Sequence, residues 1–312
     1  MLFKTVLFQL ISLMSIAAVG ALLTKLGIVT EKVTTGMGNV MTKACLPCLL
    51  VSSMQMDFSR SLLSKMGTAA GGFMIVMILS ALLIIPFSII KKTDSLTLGA
   101  FIVCSSFPNV VYVGRPLIEA VYGSEASPYL TIIALVFTVT VFSFGVLIIS
   151  IGNKEKMGGI KGVLSKSFLN PAVIGGLLGL LFFIFSIKLP SFILTPIQMM
   201  SSMVTPLSMI IIGSNLMRAK PKEIFNDLRV YVISFVRLIA TPIIVFLLFS
   251  LFIKDRIILG TLVIGSSLPT GANAGVLAQL YDNNPVLAAK CIFMSTILCL
   301  VTTPLIVLLF LS

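Results

Sequence analysis

Residues 104–117 read CSSFPNVVYVGRPL, and residues 265–278 read GSSLPTGANAGVLA. A shift of 161 places Ser105 on Ser266, Ser106 on Ser267, Pro108 on Pro269 and Gly114 on Gly275. Each copy lies inside an apolar segment, 96–121 and 257–281, with its proline near the middle. Proline removes a backbone N–H and crowds the preceding turn, so a helix must break or bend there. Freed backbone groups are not tolerated in lipid unless they face protein or a watery cavity. Two helices interrupted at bilayer depth, in matching halves of one chain, are the pattern of a transporter's substrate site.

Working outward, the composition agrees with a membrane location. The chain has 312 residues, of which 58% are hydrophobic and 10% charged, with a mean hydropathy of +1.15. An ordinary soluble chain carries about 25% charged residues. Ten apolar stretches are long enough to cross hydrocarbon: 5–24, 34–55, 67–90, 96–121, 128–151, 170–187, 191–216, 230–252, 257–281 and 285–311. The small residues behind the first stretch resemble a signal-peptide cleavage site, but that stretch is needed to complete the repeat and is kept as a span. The longest polar connector, 152–169, divides the chain almost in half.

The proline pattern extends to the flanking spans. Pro47 answers Pro206, and Pro86 answers Pro242, at nearly the same offset as Pro108 and Pro269. A unit of five spans is odd, so its second copy must insert upside down. The expected fold is an all-α membrane protein with ten transmembrane helices in two inverted five-helix repeats. Helices 4 and 9 are broken and cross. The first repeat covers 1–151, the linker 152–169 and the second repeat 170–312.

The formal charge of +12 does not require a nucleic acid. Loop Lys and Arg residues number twelve on one side, among them Lys91, Lys92, Lys154, Lys156, Lys161, Lys166, Lys220 and Lys222, against six on the other. The positive-inside rule puts the richer side in the cytoplasm and both termini outside a plasma or inner membrane. Anionic lipid suffices as the partner of the basic loops. The five cysteines fall in apolar stretches, and the chain has no histidine. Cys45 and Cys48 therefore read as packing thiols, and no metal or other cofactor is expected. Gly175, Gly176 and Gly179 permit close helix approach.

Each break exposes a helix N-terminus with free N–H groups and partial positive charge. Asn109 stands at the first opening, and Pro269, Thr270 and Asn273 form the second. Two such ends form an anion-attracting site. The preceding half-helices end in carbonyls that would suit a cation instead. Charge favours the anion: the spans hold Lys43, Arg115, Arg237 and Lys290 but a single acid, Glu119. Arg115 lies about 10 Å past Pro108 along the helix, where it pairs with Glu119 at i,i+4 or meets substrate. Asn39 and Lys43 share a helical face, and a mid-span Lys43 should face a cavity or a partner. Arg237 and Lys290 lie near span ends, where snorkelling accounts for them.

Over Pro108-Asn109-Val110-Val111-Tyr112-Val113-Gly114-Arg115-Pro116-Leu117, and again from Leu268 through Asn273 to Tyr281, the chain resembles the auxin efflux carrier family. That resemblance implies a scaffold of helices 1, 2, 6 and 7, a transport unit of helices 3–5 and 8–10, elevator movement and a homodimer. It implies that Asn109 holds a substrate carboxylate between the crossover prolines, with Tyr112 in the same stretch. The long loop of many plant members is absent, and Arg115 departs from their apolar residue, which favours a more highly charged acid than auxin. The expected activity is transport of small organic anions, carboxylates of malate or auxin type, in the direction of efflux. Alternatives are a sodium- or proton-coupled organic anion symporter of bile-acid-carrier type and a membrane receptor or sensor module. An enzyme is not expected, because no nucleophile–base pair or paired aspartates are visible.

Overall fold

A computed structural model describes residues 2–90, 93–150, 168–218 and 224–311. Most of the 152–169 linker therefore lies outside the described residues, as do Lys91, Lys92, Lys154, Lys156, Lys161, Lys166, Lys220 and Lys222. The described chain is helical. The helices are α1 (Leu2–Lys25), α2 (31–52), α3 (Arg60–Ile90), α4 (Ser95–Ser106), α5 (110–122) and α6 (127–149). They continue as α7 (Pro171–Ile184), α8 (191–218), α9 (228–249), α10 (Arg256–Ser266), α11 (Ala272–Leu280) and α12 (Pro285–Phe310). Among the described residues, six helical stretches are long and apolar enough to cross a membrane. Large apolar side chains such as Phe8, Ile78, Leu82, Phe144, Leu248 and Leu309 point outward and are exposed, which suits hydrocarbon rather than water.

Helix starts and stops follow local chemistry. Asp94, Asn170, Asp227, Asp255 and Asn284 each accept a backbone N–H of the first turn they precede. Such a cap contributes typically ~1 kcal/mol. Gly123, at φ +69 and ψ −161, ends α5 in a positive-φ extended conformation that only glycine adopts readily. The long apolar run 110–149 is thereby turned into two helices.

Proline also explains most of the irregular turns. Wide π turns at Met41–Cys45, Val110–Gly114 and Val236–Ala240 immediately precede Pro47, Pro116 and Pro242. A proline ring cannot donate and crowds the carbonyl four residues back, and local widening relieves the clash. In α9 the Thr241 hydroxyl donates to the Val236 carbonyl at 2.8 Å. Pro86, by contrast, sits inside the continuous α3, so its match to Pro242 in sequence is not a match in local geometry. Nothing in the sequence explains the fourth π turn, Val141–Gly145.

Two tight helix crossings flank the centre. α1 lies along Val204–Arg218 of α8, where a side chain at Gly213 would collide with the Ala17 backbone. α7 lies along Leu46–Ser52 of α2, where a Cβ on Gly175 would sit 2.7 Å from Pro47 Cα and one on Gly179 would sit 2.7 Å from the Leu50 carbonyl oxygen. Small residues allow this approach, as the glycine spacing predicts. Between these crossings, α3 packs on α4, α6, α9 and α10, and α12 packs on α9 and α11. Phe107 and Phe73 both meet Phe137 edge-on, at ring separations of 6.1 and 6.5 Å. This places the end of α4 in the core.

Candidate functional site at the crossing of two broken helices

α4 stops at Ser106 and α5 starts at Val110; α10 stops at Ser266 and α11 starts at Ala272. The two gaps cross. Pro108 and Thr270 form an isolated antiparallel bridge. Asn109 N–H donates to the Pro269 carbonyl at 2.8 Å, and Gly271 N–H returns a bond to the Phe107 carbonyl at 2.8 Å. The hydrogen-bonded two-fold thus relates Asn109 to Gly271 and Phe107 to Pro269, one position beyond the motif register of 161. The two prolines are neighbours but not equivalents. Thr270 takes the place opposite Pro108, and its free N–H is met by the Ser295 hydroxyl at 3.0 Å.

The carbonyls left over at the breaks are satisfied by side chains. Thr270 Oγ1 donates to Cys104 at 2.9 Å and Thr303 Oγ1 to Ser267 at 2.8 Å. Arg237 Nη1 donates to Ser105 at 2.8 Å, and its Nε donates to Leu268 at 3.1 Å. An unpaired backbone group in such surroundings costs several kcal/mol, so these four contacts hold both helices open. Arg237 corrects the snorkelling expectation, because it is fully buried at 0% exposure. Lys290 does not reach a surface freely either; it is partly buried against Asp227 at 3.4 Å.

On the other side of the crossing are the starts of α5 and α11. Asn109 is buried, its carbonyl accepts from Val113 and Gly114, and its carboxamide makes no hydrogen bond among the described residues. Tyr112 is buried in the π turn that follows, and Asn273 is half-buried in the first turn of α11. Among the described residues, the buried set contains Arg237 and no Asp or Glu. The helix starts therefore contribute positive potential, with no buried carboxylate among the described residues to offset it.

One turn further along α5, Arg115 forms the expected i,i+4 pair with Glu119 at 3.1 Å. It also donates to Ser53, at the C-terminal end of α2, at 2.8 Å and to Thr131 of α6 at 3.4 Å. Arg115 and Glu119 line a cavity of about 330 Å³ together with Ser53, Gln198, Ser201 and Thr205. The cavity is walled by α5 on one side and by α2 and α8 on the other.

Of the residues singled out in the sequence, Pro108, Asn109, Pro269 and Thr270 meet directly. Tyr112, Asn273 and Arg115 follow along the two emerging helices. Asn39 and Lys43 are exposed on α2 and its π turn. Arg237, Ser295 and Thr303 were not singled out as parts of the crossing. The available signal was a cation five residues before a proline inside an apolar span. Among the described residues, no group of three His, Cys, Asp or Glu side chains is placed to hold a metal ion.

A family model described as "Membrane transport protein" matches residues 5–307. An uncharacterized transporter of Methanocaldococcus jannaschii is 29% identical over 211 residues, covering 66% of this chain and 67% of that protein. An uncharacterized transporter of Methanothermobacter thermautotrophicus is 26% identical over 301 residues, covering 95% of each chain.

Proposed function

The chain belongs to the membrane transport protein family, the family of the auxin efflux carriers, and on that premise we propose that it carries small organic anions across the membrane. The carrying observation is the crossing. Two helix starts, each worth roughly half a positive charge, open beside the free carboxamide of Asn109, and among the described residues no buried carboxylate competes for them. Carboxylates of malate or auxin type are the substrates this chemistry fits, and Arg115 in the adjoining cavity favours a second negative charge.

We place the helices in ten crossings, with α4/α5 and α10/α11 each counted as one broken span, arranged as two inverted repeats of five. Support comes from the exchanged pairings, α1 on α8 and α7 on α2, and from the reciprocal hydrogen bonds at the crossing. The elevator reading is supported by the cavity wall, which is shared between α5 and the α2/α8 pair. A plasma or inner membrane, outward termini and a homodimer complete the proposal. An inside-negative potential drives an anion outward with about 2.3 kcal/mol per charge per 100 mV, roughly fifty-fold accumulation.

The test is counterflow in proteoliposomes loaded with labelled mono- and dicarboxylates, with the potential clamped at zero or set inside-negative. Saturable exchange that speeds outward with potential supports the reading. Binding of a carboxylate with no exchange in sealed vesicles would instead make the protein a receptor.

A further inference from the structure

The last turn of α4 and the break just past the end of α10 each aim a carbonyl at one place, and a side chain of the protein fills it. Arg237 reaches the Ser105 carbonyl at 2.8 Å and the Leu268 carbonyl at 3.1 Å, with Ser80 Oγ at 3.5 Å. It is fully buried, it has no acidic partner among the described residues, and its Nη2 has no hydrogen-bond partner there. A helix C-terminus carries roughly half a negative charge, so two such ends together balance about one guanidinium. Carbonyl ends of this kind are where broken-helix carriers hold a monovalent coupling ion. The π turn Val236–Ala240 delivers the side chain, and Pro242 behind it maintains that turn.

We propose that Arg237 is a resident cation occupying the place of a coupling ion, so that transport by this chain is independent of sodium. The inference rests on the transporter reading above, but it is tested separately from the nature of the substrate. Without the guanidinium, two helix ends would face each other with about one uncompensated negative charge. That vacancy should take up sodium.

The experiment compares purified wild type, Arg237→Lys and Arg237→Ala by thermal melting in sodium chloride or choline chloride at matched ionic strength, without any organic anion. Wild type should melt identically in the two salts, and so should the lysine variant. The alanine variant should melt lower in choline and recover saturably as sodium is titrated in. Recovery of folded Arg237→Ala from sodium buffers alone is the same result in stronger form. A variant indifferent to sodium, one recovered in neither salt, or a wild type that gains equally from sodium would each overturn the proposal. So would carboxylate exchange by wild type that depends on a sodium gradient. Failure of the anion reading shows up differently, as wild-type protein that responds to no carboxylate.

Discussion

The Cα of Gly271 lies so close to Pro108 that a methyl carbon built on it would sit 3.1 Å from the Pro108 carbonyl oxygen and 3.2 Å from that of Phe107. The same glycine donates its N–H to Phe107, so the two broken helices are joined by a contact that a side chain would crowd, here against backbone carbonyls that are themselves part of the crossing. Gly271→Ala should therefore destabilise the protein by about 1–3 kcal/mol, the range of overpacking in a filled core, and Gly271→Val by more. Gly36, with nothing within 4 Å of its Cβ position, is the control. Gly36→Ala should leave the melting temperature unchanged or raise it. Melting of the three variants in one detergent checks the order.

Asn109 is placed to bind rather than to brace. Its backbone is engaged on both sides, whereas its carboxamide makes no hydrogen bond among the described residues. Replacing it with alanine should leave folding nearly intact and weaken carboxylate binding by about 1.5–3 kcal/mol, the range of a hydrogen bond to a charged group, or roughly ten- to hundred-fold. Asn109→Asp should abolish binding by placing an anion at the two helix starts. Titrating carboxylates against thermal stability measures both variants, and unchanged affinity in Asn109→Ala would remove this residue from the site.

The acidic residue that ties α9 to α12 has a pH signature. Arg229, hydrogen-bonded to Asp227 at 2.8 Å, holds the Asp227 carboxyl below the usual carboxylate range, with Lys290 adding to the effect. A lowered folded value means the tie contributes fully above the unfolded value of about 3.9 and is lost as pH falls through the folded one. Melting temperature should hold steady from neutral pH to about 5 and fall below about 4. Asn is as good a helix cap as Asp, so Asp227→Asn keeps the cap, lowers stability at neutral pH and flattens the acid slope. A scan of melting temperature against pH for both proteins decides it.

The breaks were legible because proline in an apolar span has one mechanical consequence whatever surrounds it. Asn109 was legible for the same reason, since the residue after the break must stand at a helix start. The register was not. The matching serines and prolines align at 161, but the backbone pairs Pro269 with Phe107, because the second gap runs longer before its helix resumes. Arg237 was misplaced for a different reason. Distance from a loop suggested a route to water, while its actual partners are the carbonyls of Ser105 and Leu268 on other helices.

Arg115 and Glu119 give the prediction with opposite signs. The pair is 3.1 Å apart on the wall of a 330 Å³ cavity, and Ser127 also donates to the Glu119 carboxylate at 2.9 Å. If the cavity lies on an anion's route, Glu119 is a built-in competitor for the guanidinium. Glu119→Gln keeps the shape and hydrogen-bonding capacity but removes the competing charge, so dicarboxylate affinity should rise. Arg115→Gln should lower it. An interaction of about 1 kcal/mol, at the upper end of partly exposed ion pairs, corresponds to about five-fold in each direction. Both shifts should shrink as ionic strength increases, because charges lining an open cavity are screened. Dicarboxylate titrations of the two variants at low and high salt read this out. Equal weakening in both would mean that the pair only braces α5 against α2 and α6, through Ser53 and Thr131.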